Sequence, residues 1–258
     1  MQNQLTTALI QSPLVWEDAE ANRNFFREKI DAISQSVDLI VLPEMFSTGF
    51  TMSPQNVAET MNGKTVKWMK SVAVEKNCAI TGSLVIKSGA NVYNRLLFVF
   101  PDGEIKQYDK RHLFSLAGEH VAFTAGKKRL LVEYKGFRIC PLICYDLRFP
   151  AFSRNTEYYD LLIYVANWPL PRIAAWDALL KARAIENMSY VVGVNRTGTD
   201  PNGLEYPGHS QVLDFMGEYL VSAWENEGIF VATLEKNPML EVRKKFSFLE
   251  DRDSITVK

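Results

Sequence analysis

Apolar runs and amphipathic segments alternate along the first part of the chain. Residues 5–11 form a short, partly apolar run that predicts a strand, and Phe26 and Ile30 lie at helical spacing within residues 16–36. A second apolar run, V-D-L-I-V-L at 37–42, predicts another strand. This order of strand, helix and strand is typical of α/β proteins.

Hairpins replace this alternation in the middle of the chain. A second helix is predicted over 63–77, followed by strand-like runs at 78–87 and 91–100. The P-D-G-E sequence at 101–104 is a strong turn signal, and it leads into a further strand at 105–110. Strands therefore follow one another here without intervening helices.

The second half of the chain is predicted to be rich in strands, with one clear helix over 173–187. The segment 111–128 has no periodicity and is long for a plain connection, which indicates a functional loop. A proline-rich loop is predicted over 167–172. The predicted strands of this half cover residues 130–134, 137–143, 160–166, 190–195, 210–215, 218–222 and 228–234.

These elements predict two layers of sheet between layers of helix. Because no linker, repeat or low-complexity segment divides the chain, we expect one domain over residues 1–258. Residues 238–258 predict a short helix and a polar tail, which are candidates for packing on a partner subunit instead of on their own core.

The composition excludes several classes of function. With 47% hydrophobic and 23% charged residues, the 258 residues can bury a substantial core. A formal net charge of -1 leaves no basic surplus for nucleic acid or an anionic membrane. The three cysteines form no metal-like pattern with the three histidines. No window predicts a secretion signal or a membrane span, so we expect a soluble cytoplasmic protein without a metal.

The stretch I-C-P-L-I-C-Y-D-L-R-F-P at 139–150 is the most informative motif. An apolar strand ends on Cys144, and residues 145–148 are expected to turn directly into a helix opened by the F-P dipeptide. A thiol at such an elbow lies near backbone N–H groups that stabilise a thiolate or an oxyanion. Cys144 is therefore a candidate nucleophile, although a lone cysteine is also a common small core residue.

Two charged residues also lie at predicted strand ends. Glu44 follows the strand at 37–42, and Lys110 stands at the entrance of the long loop at 111–128. Active residues gather at such ends, where loops converge above a rigid sheet. Taken singly, Glu44 is better explained as a solvated strand end and Lys110 as an ordinary surface lysine.

Three sequence blocks resemble the carbon–nitrogen hydrolase (nitrilase) superfamily. They are V-L-P-E-M-F-S-T-G-F at 41–50, Y-D-K-R-H-L-F at 108–114 and I-C-Y-D-L-R-F-P at 143–150. The likeness continues through A-N-W-P at 166–169, A-R-A-I-E-N at 182–187 and G-V-N-R-T-G at 193–198. It implies an α-β-β-α sandwich of two central mixed sheets flanked by helices. It also implies a homodimer and chemistry without a cofactor.

The resemblance implies a Glu-Lys-Cys catalytic set that cleaves an amide. Glu44 is the expected general base, which deprotonates the Cys144 thiol and returns a proton to the leaving ammonia. Lys110 and the backbone N–H of Tyr145 are the expected donors to the oxyanion. Glu119, in L-A-G-E-H, falls where the family places a second glutamate that orients the lysine and the substrate.

Within the superfamily, C-Y-D-L-R-F-P and A-N-W-P are most similar to the ω-amidase branch. Its members hydrolyse the terminal amide of short dicarboxylic monoamides such as 2-oxoglutaramate and 2-oxosuccinamate. A guanidinium suits the far carboxylate of such a substrate, because it makes two parallel hydrogen bonds. Arg148 is the first candidate for this clamp, Arg172 is the second, and Trp168 is a candidate wall of the pocket.

Other functions stay open at this point. A relative that acts on an N-carbamoyl amino acid, an aliphatic amide or a nitrile would share the catalytic set. His112 and His120 allow a Cys-His pair, although local packing or hydrogen bonding is the expected role of both. A non-catalytic or redox-sensing thiol protein would need a resolving cysteine, but Cys140 is separated from Cys144 by too long a stretch of strand.

Overall fold

The buried side chains of the first sheet point to two different layers of the protein. The computed structural model describes residues 3–254, and strand β1 (Gln4–Gln11) begins this sheet. Leu9 packs in the core between the two sheets, whereas the next residue, Ile10, packs against helices on the outer side. Because successive side chains of a strand point to opposite faces, one apolar strand contributes to two layers.

The first sheet is mixed. Its strands lie in the order β14-β1-β2-β3-β4-β5, with β1, β2 and β3 mutually parallel and the other neighbours antiparallel. The additional strands are β2 (Leu39–Val41), β3 (Ala79–Ser88), β4 (Asn91–Val99), β5 (Ile105–Asp109) and β14 (Gly228–Glu235).

The second sheet is also mixed, and its central strands are parallel and buried except at Arg138. Its order is β13-β12-β9-β8-β7-β6, with β7, β8 and β9 parallel, as expected for strands covered on both faces. These strands are β6 (Val132–Tyr134), β7 (Phe137–Ile143), β8 (Leu161–Ala166), β9 (Tyr190–Asn195), β12 (Gln211–Leu213) and β13 (Tyr219–Ser222). A separate pair, β10 (Thr197–Thr199) and β11 (Glu205–Pro207), was not predicted from the sequence.

Helices cover the outer face of each sheet. Phe26 of α1 and Met69 of α3 pack on the first sheet, and Trp176 and Leu180 of α6 pack on the second. The helices are α1 (Ala19–Asp31), α2 (Pro54–Val57), α3 (Lys64–Lys76), α4 (Glu119–Ala122), α5 (Pro150–Ser153), α6 (Ile173–Asn187) and α7 (Lys236–Phe246). The layers follow the predicted α-β-β-α order. No helix within residues 3–254 is long and apolar enough to cross a membrane.

Several helices and strands begin or end at residues other than those predicted, because local hydrogen bonds fix their ends. The helix predicted over 16–36 is shorter, because the Asp18 side chain caps its first turn by accepting from two backbone N–H groups. The strand predicted over 210–215 ends earlier, because Asp214 accepts two backbone N–H groups of a turn. The loop predicted over 111–128 contains α4, so it is more ordered than its sequence indicates.

The C-terminal helix packs partly on its own core. It begins two residues before the predicted 238, and Met239 is fully buried. Arg243 donates to the backbone carbonyls of Met188 and Tyr159, which lie shortly before β9 and β8. Leu240 and Phe248 remain 43% and 57% exposed, which leaves an apolar outer side. The end of the predicted tail, residues 255–258, lies outside the described part of the chain.

Candidate active site

Three strand ends meet at one edge of the two sheets. Glu44 follows β2 and Lys110 follows β5, both in the first sheet, whereas Cys144 follows β7 in the second. Lys110 Nζ lies 2.8 Å from Glu44 Oε1, and both residues act electrostatically on the pKa of the Cys144 thiol. The structure therefore brings the three predicted residues together across the boundary between the sheets.

Cys144 occupies a sharp turn, as the sequence predicts. Its φ of 43° is in the left-handed region, which is unusual for a residue with a side chain. A short 3₁₀ helix, Cys144–Arg148, begins on the cysteine and leads into α5, whose first residue is Pro150. The Tyr145 N–H lies in the first turn of this 3₁₀ helix, where backbone donors have no partner within the helix.

A lysine buried between two carboxylates forms the polar centre of the site. Lys110 Nζ donates to Glu44 at 2.8 Å and to both carboxylate oxygens of Glu119, at 3.0 and 2.9 Å. All three side chains are completely shielded from solvent. Glu119 also accepts the Phe114 N–H at 2.6 Å, which fixes its orientation. Two carboxylates around one ammonium leave the cluster with a surplus negative charge.

Burial and neighbouring charge set the protonation of this cluster. Burial alone would lower the pKa of Lys110, but Glu119 and Glu44 outweigh it and raise that pKa. Burial raises the pKa of Glu119, against the opposing effect of Lys110. Burial and then the Glu44 charge raise the pKa of the Cys144 thiol well above its usual value, although Lys110 lowers it. The resting nucleophile is therefore a protonated thiol, which a neighbouring base has to activate.

Two asparagines that sequence reasoning missed complete the cluster. Asn94 Nδ2 donates to Glu44 at 2.8 Å and to Glu119 at 3.2 Å. Asn167 donates its backbone N–H to Glu44 Oε2 at 2.9 Å and its amide to the Glu44 carbonyl at 2.7 Å. The sequence signal for Asn94 is only a polar residue within an apolar strand. Asn167 belongs to the A-N-W-P block, in which the tryptophan alone drew a predicted role.

The two histidines near the site are engaged elsewhere or exposed. The His112 Nδ1 lies 2.7 Å from Asp146 Oδ1, and its ring stacks on Phe149 at a centroid distance of 3.7 Å. His120 lies on the surface. His112 thus has the hydrogen-bonding and packing role expected for it, and the geometry favours Glu44 as the partner of the thiol.

A cavity of about 580 Å³ opens over Cys144. Arg148, Trp168 and Arg172, the predicted substrate residues, all line it. The Arg148 guanidinium lies 5.0 Å from the Trp168 ring centre, and that of Arg172 lies 5.1 Å from the Phe114 ring centre. Neither guanidinium forms an ion pair with any residue between 3 and 254. Two guanidiniums without an ion-pair partner therefore line the space above the nucleophile.

Two carboxylates line the same cavity, and both accept hydrogen bonds from the protein. Glu17 accepts from the Thr51 hydroxyl at 2.5 Å. Asp200 accepts from the Tyr206 hydroxyl at 3.0 Å and from two backbone N–H groups. The arginines are thus the charged groups of the cavity that offer unused donors to a ligand.

The cysteines do not form a redox pair. Cys78, Cys140 and Cys144 are all free and buried. Burial raises the pKa of Cys78 to about 11 and that of Cys140 to about 12, so both are inert thiols at neutral pH. Cys140 lies within β7, and four residues of extended strand span about 13 Å, which is too far for a disulfide to Cys144.

The fold and the strand-end cluster define a class of protein: the chain belongs to the carbon-nitrogen hydrolase family, whose sequence profile matches residues 6–244. It is 46% identical over 252 residues to omega-amidase YafV of Yersinia enterocolitica, covering 96% of this chain and 97% of that protein. It is 36% identical over 232 residues to the 2-oxoglutaramate amidase of Bacillus subtilis, covering 88% of each.

A solved structure gives the same result for the fold. The chain is 42% identical to XC1258 of Xanthomonas campestris, a CN-hydrolase superfamily protein with an arsenic adduct in its active site. The two structures superpose with a TM-score of 0.96 over 99% of both chains. The predicted family and the predicted α-β-β-α sandwich are therefore confirmed.

Proposed function

We propose that this protein is an amidase that hydrolyses the terminal amide of a short dicarboxylic monoamide, of the 2-oxoglutaramate or 2-oxosuccinamate class. The products are the dicarboxylic acid and ammonia. The observation that carries this proposal is the pair of unpaired guanidiniums, Arg148 and Arg172, in the cavity above Cys144. The likeness to proteins named omega-amidase and 2-oxoglutaramate amidase supports it.

In the acylation half of the reaction, Cys144 attacks the amide carbon. Glu44 accepts the thiol proton, and the carbonyl oxygen becomes an oxyanion that Lys110 Nζ and the Tyr145 N–H stabilise. The C–N bond then breaks, and Glu44 returns the proton to the leaving nitrogen as ammonia departs. A thioester on Cys144 remains.

In the deacylation half, water attacks the thioester carbon. Glu44 takes a proton from the water, Lys110 and the Tyr145 N–H again stabilise the oxyanion, and the carbon–sulfur bond breaks. The thiol is restored as the acid leaves. Glu119 holds Lys110 in place through two hydrogen bonds, at 3.0 and 2.9 Å, so that the ammonium stays aimed at the reacting oxygen.

We assign the binding of the substrate's far carboxylate to arginine side chains. The planar guanidinium of Arg148 can make two parallel hydrogen bonds to a carboxylate, and Arg172 supplies further positive charge. Trp168 is 3% exposed and forms an apolar wall for the short carbon chain. A neutral amide or nitrile leaves both guanidiniums without a partner.

Ammonia release from a substrate panel tests this assignment. We expect the kcat/KM for 2-oxoglutaramate to exceed that for an aliphatic nitrile and for an N-carbamoyl amino acid by at least about 100-fold, because the nitrile has no carboxylate for the guanidiniums and the carbamoyl compound presents a ureido carbon in place of the amide carbon. A coupled glutamate dehydrogenase assay measures the ammonia. Preference for the nitrile or the carbamoyl compound would reject the proposed substrate class and favour another branch of the family.

Replacement of Arg148 by methionine tests the clamp. We expect the KM for 2-oxoglutaramate to rise about 10- to 100-fold, since the variant loses a charge-assisted bond of roughly 1.5–3 kcal/mol. The kcat/KM for butyramide, which has no far carboxylate, should change less than about threefold. Arg27→Met, a surface arginine paired with Asp31 and Glu75, is the matched control. Equal losses on both substrates would show that Arg148 does not read the carboxylate.

The assembly and location of the protein form a further part of this proposal. Residues 1–258 constitute a single hydrolase domain that pairs into a homodimer, with the C-terminal helix and tail near the partner subunit. The exposed apolar side chains Leu240 and Phe248 support such a surface. Three free buried thiols support a reducing cytoplasm.

A further inference from the structure

Asp146 is a completely buried carboxylate next to the nucleophile, and it accepts four hydrogen bonds. Its Oδ2 accepts from the Ile143 N–H at 3.0 Å and from the Tyr108 hydroxyl at 2.7 Å. Its Oδ1 accepts from the His112 N–H at 3.1 Å and lies 2.7 Å from His112 Nδ1. Each oxygen thus has two partners, which is the full capacity of an ionised carboxylate.

The partners of Asp146 enclose both ends of the catalytic pair. Ile143 directly precedes Cys144, whereas Tyr108 and His112 lie two residues before and after Lys110. The Tyr108 hydroxyl also accepts the Arg111 N–H at 3.1 Å, so it holds the chain immediately after the lysine. The Asp146 carboxylate therefore connects the residue before Cys144 to the chain on both sides of Lys110.

This connection crosses the boundary between the two sheets. Lys110 follows β5 of the first sheet and Cys144 follows β7 of the second, so no ladder of backbone hydrogen bonds fixes their relative position. The left-handed φ of Cys144 adds local strain that its surroundings have to compensate. The Ile143 N–H donates to Asp146 immediately before Cys144, and His112 stacks on Phe149 after the 3₁₀ helix.

We propose that Asp146 is a positioning residue of the amidase reaction, which acts through Tyr108 and His112 to hold the Cys144 thiol in register with Lys110. This role rests on the proposed function. None of the three supporting residues lines the cavity over Cys144, so they act through the catalytic groups and not on the substrate. Because a displacement of about 1 Å at a reacting centre costs about 100-fold in rate, such a tie has a measurable effect.

Asp146→Asn is the direct test. The amide keeps the size of the side chain, but its NH₂ replaces one acceptor and faces either the His112 N–H or the Ile143 N–H. We expect kcat to fall about 10- to 100-fold while KM stays within about threefold, because the substrate contacts are unchanged. A change confined to KM would overturn the positioning role.

Asp160→Asn is the matched control. Asp160 is a buried aspartate at the opposite end of the second sheet, where it accepts the Arg138 N–H at 2.9 Å and pairs with Lys236 and Arg243. Its substitution also breaks a buried polar network, so it lowers the unfolding temperature, but kcat should stay within about twofold of wild type. An equal fall of kcat in both variants, compared at equal folded fraction, would mean that general destabilisation explains the loss.

Two ring-preserving variants keep the proposal testable if Asp146→Asn folds poorly. Tyr108→Phe and His112→Phe each remove a hydrogen bond to Asp146 and retain an aromatic ring. Each should lower kcat at least about fivefold, and each should add less than about threefold when combined with Asp146→Asn, because the three residues act as one unit. Tyr190→Phe, whose hydroxyl donates to the Glu235 carbonyl at 2.8 Å, is the control and should leave kcat unchanged.

The alkylation rate of Cys144 gives a readout that needs no amide substrate. Lys110 lowers the pKa of the Cys144 thiol, so a displaced lysine should slow alkylation by iodoacetamide at mildly alkaline pH by at least about threefold in Asp146→Asn. Wild-type protein that alkylates normally but releases no ammonia would reject the proposed substrate class alone. Asp146→Asn protein with wild-type kcat and wild-type alkylation would overturn the positioning role alone.

Discussion

Replacement of Cys144 by alanine is expected to lower ammonia release from 2-oxoglutaramate by at least about 10⁴-fold while the fold is retained. Alanine has no nucleophile, so neither the thioester nor the two-step reaction can form. The left-handed φ of 43° is already occupied by a residue with a Cβ atom, so alanine adds no backbone strain. The free energy of unfolding should change by only about 1 kcal/mol, which thermal unfolding by circular dichroism measures.

Cys140→Ala is the matched control for that substitution. Both thiols are buried and belong to the same stretch of chain, but Cys140 lies within β7 and away from Glu44. Its loss creates a small core cavity and lowers the unfolding temperature, whereas kcat should stay within about threefold of wild type. Full activity of Cys144→Ala, or loss of activity only in Cys140→Ala, would assign the chemistry to a different residue.

Replacement of Lys110 by methionine is expected to reduce both activity and stability. The oxyanion loses its charged donor, which should lower kcat at least about 10³-fold. Glu44 and Glu119 lose the ammonium between them while they stay buried, so the free energy of unfolding should fall by roughly 3–5 kcal/mol. Steady-state kinetics and denaturant titration measure the two effects separately.

The stability loss in Lys110→Met should depend on pH in a defined direction. Burial already raises the pKa of Glu119, and removal of the lysine removes the interaction that lowers it. A carboxyl with a raised folded-state pKa contributes stability that is present below its unfolded pKa of about 4.3 and is lost as the pH rises through the folded value. The deficit should therefore be smaller near about pH 5 than near about pH 8.

Lys106→Met controls for the loss of a nearby lysine, because Lys106 lies on β5, the strand that Lys110 follows. Lys106 is 48% exposed in its side chain and pairs with Glu104 at the surface. Its substitution should change the free energy of unfolding by less than about 1 kcal/mol and leave kcat unchanged. Comparable losses in the two lysine variants would contradict the assignment of the large effect to the buried charge cluster.

Much of the fold follows from local sequence patterns. The largely apolar runs of β7, β8 and β9 predict strands, because each reflects burial on both faces of a sheet. The helix over Ile173–Asn187 was predicted with its observed bounds, since its apolar face is regular. The pairing of β1 with β14 was not predictable from such patterns, because it joins the two ends of the chain.

The candidate site was only partly predictable for a related reason. Charged residues at strand ends, such as Glu44 and Lys110, stand out against apolar runs, and family blocks connect them to Cys144. Asn94 and Asn167 do not stand out, because their role depends on contacts between elements far apart in the chain. Nothing in the sequence distinguishes Asp146 from an ordinary turn residue. In the fold, its carboxylate takes part in four hydrogen bonds.

Rapid acid quench of the protein during turnover of 2-oxoglutaramate, followed by mass spectrometry, tests the central claim most directly. The predicted result is a mass increase equal to the substrate minus ammonia, located on the peptide that contains Cys144. It should be present while substrate remains and absent from Cys144→Ala. An adduct on a different residue, or ammonia release at the full rate with no adduct on Cys144, would contradict a thioester mechanism at this cysteine.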